Sequence, residues 1–214
     1  MKIAVIVAMD SEYKRLKQLG DTIGGHTIIL EKGGIGKVNA AIKTLELIEH
    51  HHPDCIISSG VAGGLDTAVK VMDIVVAEEV CYHDVWCGEG NAVGQVQGLP
   101  PRFNCNPSLL SNIQPSTNIH KGLICTGDRF ITNDDEKTII KNHFPDALAV
   151  DMESAAIAQV CHIKGIPFMA MRIVSDTPGD TDDHSRQYAD FWGEMAEKSF
   201  SSVANLLKII PSQL

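Results

Sequence analysis

Six consecutive apolar residues, Ile3-Ala4-Val5-Ile6-Val7-Ala8, follow Met1-Lys2, and Met9-Asp10 ends the run. A short continuous apolar run of this kind predicts a β-strand. The same pattern predicts strands over 2–9, 26–31, 54–59, 71–80, 121–126, 147–150 and 167–174. Between and after them, apolar positions at three- and four-residue spacing predict helices over 11–19, 37–51, 134–143, 152–164 and 187–208. This alternation predicts an α/β fold: a three-layer αβα arrangement around a central mixed β-sheet. The 26–31 and 71–80 strands are read as lacking an intervening helix, so part of the sheet is expected to be antiparallel. No repeat, low-complexity tract or linker interrupts the chain, which is read as one domain over 1–214. The exception to the pattern is 83–104, rich in Gly and Pro, where so long a loop predicts a lid or a partner contact.

Composition narrows the function classes. A net charge of -9 and only five scattered arginines argue against nucleic acid, whose phosphates require clustered cations. The apolar runs are too short to span a membrane, and no secretory pattern leads the chain, so a soluble, cytoplasmic protein is expected. Six cysteines without a CxxC pair are expected to be buried, reduced thiols. The nine histidines include no HExxH-type spacing, and His50-His51-His52 sits at a helix end where cations are favoured, so no metal is expected.

Two glycine loops invite a phosphate reading. In Gly33-Gly34-Ile35-Gly36-Lys37-Val38 the residue after Lys37 is Val38, where a Walker loop requires Ser or Thr. The dinucleotide pattern fails too, because Asn39 stands at its third glycine. A tight turn capping the helix near Lys37 is the expected role. Ser59-Gly60-Val61-Ala62-Gly63-Gly64 follows a strand, and its glycines would let a ligand approach the backbone, or simply make a turn.

The candidate chemistry lies in three acids. Glu12, Glu153 and Asp176 each follow a predicted strand, at the carboxyl edge where open α/β sheets bind ligands. Glu12 falls in the first turn of a helix, where the dipole is expected to keep it ionised, as a base that activates water requires. Glu153 shares a helical stripe with Ile157, Val160 and Cys161, so it is expected to face inward. There it either pairs with an arginine such as Arg172 or accepts hydrogen bonds from ligand hydroxyls. Asp176, beside Ser175, is a turn residue or a proton donor; the latter needs its pKa raised about three units. Phe130, after the Gly127-Asp128 turn, could stack on a planar ring or pack into the core.

Read in order, these segments resemble the purine nucleoside phosphorylase and nucleosidase superfamily, and within it the bacterial 5′-methylthioadenosine/S-adenosylhomocysteine nucleosidases. The resemblance rests on Ala8-Met9 with Glu12, Gly34 to Val38, Gly60 with Ala62-Gly63-Gly64, and Tyr82-His83-Asp84. It continues through Gly127-Asp128 with Phe130-Ile131, Val150 with Met152-Glu153, and Arg172 with Ser175-Asp176. It implies hydrolysis of the N-ribosidic bond of an adenine nucleoside, without cofactor or metal. Glu12 would activate water, Glu153 would hold the ribose hydroxyls, and Asp176 would protonate N7 of the base. Met9, Phe130, Ile131, Met152 and Ser175 would line the pocket, with Tyr188 over the base and Arg172 orienting the sugar and the carboxylates. It further implies a homodimer, with the 83–104 loop near the interface. Val61 departs from the Ser of the resembled loop, and 85–100 does not match residue by residue.

Three alternatives stand beside this reading: a phosphorylase, a non-catalytic nucleoside-binding protein, and a nucleosidase for another adenine nucleoside such as an aminodeoxyfutalosine. No arginine lies in the 8–14 turn and Val61 carries no hydroxyl, which disfavours phosphate binding.

Overall fold

The computed structural model describes residues 1–177, 191–192 and 196–214. The strands are β1 (Lys2–Val7), β2 (Thr22–Ile23), β3 (His26–Lys32), β4 (Cys55–Gly64), β5 (Ile74–Tyr82), β6 (Phe103–Asn104), β7 (Ile119–Thr126), β8 (Ala147–Asp151) and β9 (Phe168–Asp176). The α-helices of the described residues are α1 (Asp10–Lys17), α2 (Lys37–His51), α3 (Pro107–Leu110), α4 (Asp134–His143), α5 (Ser154–Lys164) and α6 (Ala196–Lys208).

Local chemistry sets the ends of these elements. Gly36, at φ +91°, is the N-cap of α2, and His52, left-handed at φ +47°, closes it immediately before Pro53. β1 is buried from Ile3 to Val7 because β3 and β4 flank it on both sides. Each fully buried Ile or Val there contributes about 1.5–3 kcal/mol relative to exposure.

The sheet is mixed, as expected, but its pairing goes beyond the sequence reading. β3, β1, β4 and β9 run parallel to one another, as do β5, β7 and β8. Antiparallel contacts join the two sets where Gly63 pairs with Val150 and where Ile74 pairs with Ile173. The pairings β4-β8-β7-β5-β9-β4 therefore close into a ring. The three acids do not lie along one rim of an open sheet; they come from strands of both sets, whose carboxyl ends meet where β4 touches β8.

Further expectations are corrected. β3 is parallel to β1, because α1 crosses between them; only the two-residue β2 pairs antiparallel with β3. α5 starts at Ser154, not at 152, because Asp151 accepts hydrogen bonds from the N–H groups of Glu153 and Ser154 and holds the chain out of the helix. Glu153 is thus the N-cap (φ -134°, ψ -37°) and does not belong to the apolar stripe of α5. The 83–104 segment is largely irregular, yet its end pairs with β5 as β6, and Arg102 ties it to Asp146 and Glu79. Five of the six free cysteines are buried as expected, but Cys87, in this segment, is exposed. Tyr188 and the first part of the predicted 187–208 helix lie outside the described residues.

Candidate active site

A cavity with about 610 Å³ of open space, its solvent-facing mouth included, lies where the carboxyl ends of the two strand sets meet. Glu12, Glu153 and Asp176 all line it, together with Met9, Phe130, Ile131, Met152 and Ser175. Phe130, half exposed, stands at the mouth. Arg172 does not line the cavity; it is fully buried behind it, on β9. Among the described residues of this chain, none from 83–104 lines the cavity either.

Glu12 is fixed by the backbone. Its Oε2 accepts the N–H groups of Ala8 and Met9 at 2.9 and 2.8 Å, closing the first turn of α1 on itself. Oε1 accepts the Val61 N–H at 3.0 Å across from β4. A carboxylate offers about four lone-pair sites, so Oε1 keeps one for a ligand or water. Burial pushes the Glu12 carboxyl above its ordinary range, against the pull of the Met9 N–H, the Arg172 charge and the Val61 and Ala8 N–H groups. The expected stabilisation of the ionised form at the helix end is therefore outweighed by desolvation, which gives a stronger base.

Val61 contributes its N–H to this arrangement, so the absent Ser hydroxyl takes no part in that contact. Gly60 explains why the loop is glycine-rich: a Cβ there would lie 2.6 Å from Glu12 Oε1. Gly60→Ala is expected to displace the Glu12 carboxylate and lower kcat/KM roughly 100-fold, the typical cost of a 1 Å misplacement. Steady-state kinetics beside a circular-dichroism check of folding would test it; near-normal activity would remove the requirement for this close approach.

Glu153 is held by the other glycine loop, whose Gly36 N–H donates to its Oε1 at 3.0 Å. That loop caps α2, as expected, but it also docks on two acids: the Lys37 N–H donates to Asp128 Oδ1 at 2.8 Å. Burial, then the neighbouring Asp151 charge, push the Glu153 carboxyl up to about 7. The ion pair with Arg172 considered from the sequence is absent among the described residues; Arg172 Nε bonds Asp151 Oδ2 at 2.8 Å instead. Asp176, buried at the end of β9 opposite Gly63, has Ser175 Oγ 2.7 Å from its Oδ1, and that hydroxyl is also 3.3 Å from the Ala62 carbonyl.

Sequence reasoning did not single out Asp151, Thr126 or Ser58. Asp151 lines the cavity and is the hub of a buried network with Thr126, Ser154 and Arg172, which itself bonds Ser58. An Asp closing the apolar run Ala147 to Val150 was the available signal, because an acid at a buried strand end needs partners.

A mixed sheet closed around three acids that converge on one cavity defines a class of protein, and comparison with known proteins agrees with it. Residues 2–210 match the phosphorylase superfamily. The chain is 40% identical to a 5′-methylthioadenosine/S-adenosylhomocysteine nucleosidase of Staphylococcus haemolyticus over 189 residues, covering 86% of this chain and 82% of the relative. It is 36% identical to the protein of the same name from Bacillus cytotoxicus, covering 97% of this chain and 99% of that one. Among solved structures, the S. pneumoniae nucleosidase of this name with the transition-state inhibitor MT-ImmA superposes with a TM-score of 0.89 at 33% identity, covering 99% of this chain and 100% of that one. The Neisseria meningitidis one in complex with methylthio-immucillin-A gives 0.89 at 34%, covering 97% and 98%. The chain belongs to the phosphorylase superfamily and, within it, to the family of 5′-methylthioadenosine/S-adenosylhomocysteine nucleosidases.

Proposed function

We propose that this protein is an N-glycosyl hydrolase that cleaves 5′-methylthioadenosine and S-adenosylhomocysteine to release adenine, as part of methionine salvage. The observation that carries the reading is the convergence of Glu12, Glu153 and Asp176 on one cavity. Glu12 is the base: Oε1, with its spare lone pair, takes a proton from the water that attacks C1′. Asp176 is the acid that protonates N7, so that adenine leaves neutral. Glu153 accepts hydrogen bonds from the ribose 2′- and 3′-hydroxyls. Positive charge develops on the sugar in the transition state, and the surrounding carboxylates stabilise it electrostatically. Met9, Met152, Ile131 and Phe130 supply the apolar walls, Ser175 steadies Asp176, Tyr188 covers the base, and Arg172 acts on the carboxylates from behind the cavity, through Asp151.

Incubating the protein with methylthioadenosine, with and without phosphate, distinguishes hydrolysis from phosphorolysis. Free methylthioribose at a phosphate-independent rate is expected. A ribose-1-phosphate product would make it a phosphorylase, and binding without base release would make it a nucleoside-binding protein. A kcat/KM comparison with an aminodeoxyfutalosine tests the remaining alternative.

The chain acts as one nucleoside phosphorylase-like domain and as a homodimer. Support for the dimer comes from Ile35, Val38 and Ile42, exposed at helical spacing from the start of α2, and from Trp86, exposed in the 83–104 segment. The Lys37–Asp84 ion pair (2.7 Å) ties that end of α2 to the 83–104 segment. Sedimentation would show a dimer that Val38→Glu dissociates. No helix among the described residues is long and apolar enough to cross a membrane. Six free cysteines support a cytoplasmic location.

A further inference from the structure

Glu153 is a buried carboxylate without a cationic partner among the described residues, although a buried arginine lies close enough for its charge to act on it. The guanidinium of Arg172 is committed elsewhere. Nε donates to Asp151 Oδ2 at 2.8 Å, one terminal nitrogen to Ser58 Oγ at 2.7 Å and the other to the Met171 carbonyl at 3.1 Å. Asp151 is in turn locked from three elements. Its Oδ1 accepts the Thr126 hydroxyl at 2.6 Å from β7 and the Ser154 N–H at 3.2 Å from α5, and Oδ2 accepts the Ser154 hydroxyl as well as Arg172 on β9. A carboxylate engaged by this many donors does not swing away.

We propose that Asp151 is a positioning residue: it captures the Arg172 guanidinium and so reserves the Glu153 carboxylate for the hydroxyl groups of the substrate. This rests on the ribose-binding role of Glu153 in the proposed function. The physical logic is competition for one acceptor. An arginine seated on Glu153 would have to be displaced before two neutral hydroxyls could bind, and charge-assisted contacts are about twice as strong as neutral ones. With the arginine held away, the Glu153 carboxyl of the free protein is only partly ionised near neutral pH, and ligand hydroxyls displace the proton that remains.

The groups facing Glu153 fit this balance. Asp151 from β8 and Glu12 from α1 oppose its ionisation, Arg172 from β9 and the Gly36 N–H favour it, and Asp176 lines the same cavity. On the loop beyond Gly36, Lys37 is taken up by Asp84 (2.7 Å) and Asp128 (3.8 Å).

Asp151→Asn tests the inference. With Arg172 released toward Glu153, the acid limb of the kcat/KM profile is expected to move down by about one pH unit or more, the usual effect of an adjacent opposite charge. KM at pH 7 rises severalfold while kcat changes less. Loss of the Asp151 charge alone also moves that limb down, because Asp151 opposes ionisation of Glu153, so KM decides. A KM at pH 7 within about twofold of wild type means that Arg172 does not take the place of substrate on Glu153, and that result overturns the proposal. A second measurement uses the unaltered protein, in case the variant does not fold. Binding of a 7-deaza adenine nucleoside, which has no N7 to be protonated, is followed at pH 6.5 by calorimetry in buffers of different ionisation enthalpy. Net proton release in the wild type, absent in Glu153→Gln, is expected. Binding without release means that Glu153 is already ionised in the free protein and overturns the proposal. No binding at all overturns the proposed function, and this inference with it.

Discussion

Asp176→Asn is expected to lower kcat for adenine release by about 10²–10⁴-fold, the usual contribution of general acid catalysis. Nucleoside affinity should change less than about tenfold. An amide at this position keeps the shape, and through its NH₂ it can still donate a hydrogen bond to N7, but it cannot transfer a proton. Adenine would then have to leave as an anion. The neighbouring contacts survive: Ser175 Oγ, 2.7 Å from Oδ1, can donate to an amide oxygen as it does to a carboxyl. Adenine release at saturating nucleoside, together with a binding titration, would read the two effects separately. A variant that turns over within about threefold of wild type would end the assignment of Asp176 as the acid.

The second large effect is expected at Glu12→Gln. Both carboxylate oxygens face backbone donors: Ala8 and Met9 on Oε2, and Val61 on Oε1. Glutamine can match only one side, because its NH₂ placed at the other meets an N–H as donor against donor. The change therefore removes the base and also leaves a buried N–H unpaired, at a cost of about 1–3 kcal/mol. A kcat loss of about 10²–10⁴-fold is expected, with a lower melting temperature and with substrate found intact in the pocket. Calorimetric melting and single-turnover kinetics would check both parts. Rapid hydrolysis by this variant would exclude Glu12 from the reaction and move attention to the other acids of the cavity.

The strands and helices were legible in the sequence because buried strands are continuous apolar runs and the helices carry a 3.6-residue stripe. Helix α2 was anticipated over its full span, with its Gly36 and Pro53 boundaries, because a cap and a stop are local signals. The start of α5 was missed because it depends on Asp151, whose partners Thr126 and Arg172 are remote in the chain. Arg172 illustrates the same limit. Its residue type suggested a partner for Glu153, but which acid it pairs with depends on the packing of β8 against β7 and of β9 against β4.

The chain by itself determined the element types, the acidic and arginine-poor character, and which three acids lie at or just after strand ends, since these follow from periodicity and side-chain chemistry within short windows. Only the tertiary structure decided that two strand sets close into a ring, that Gly60 makes room for Glu12, and that Asp151 takes Arg172 from Glu153. Those outcomes depend on distances between residues from 21 positions apart (Asp151 and Arg172) to 112 (Ile56 and Phe168), and on desolvation, which exists only once the core has closed around them.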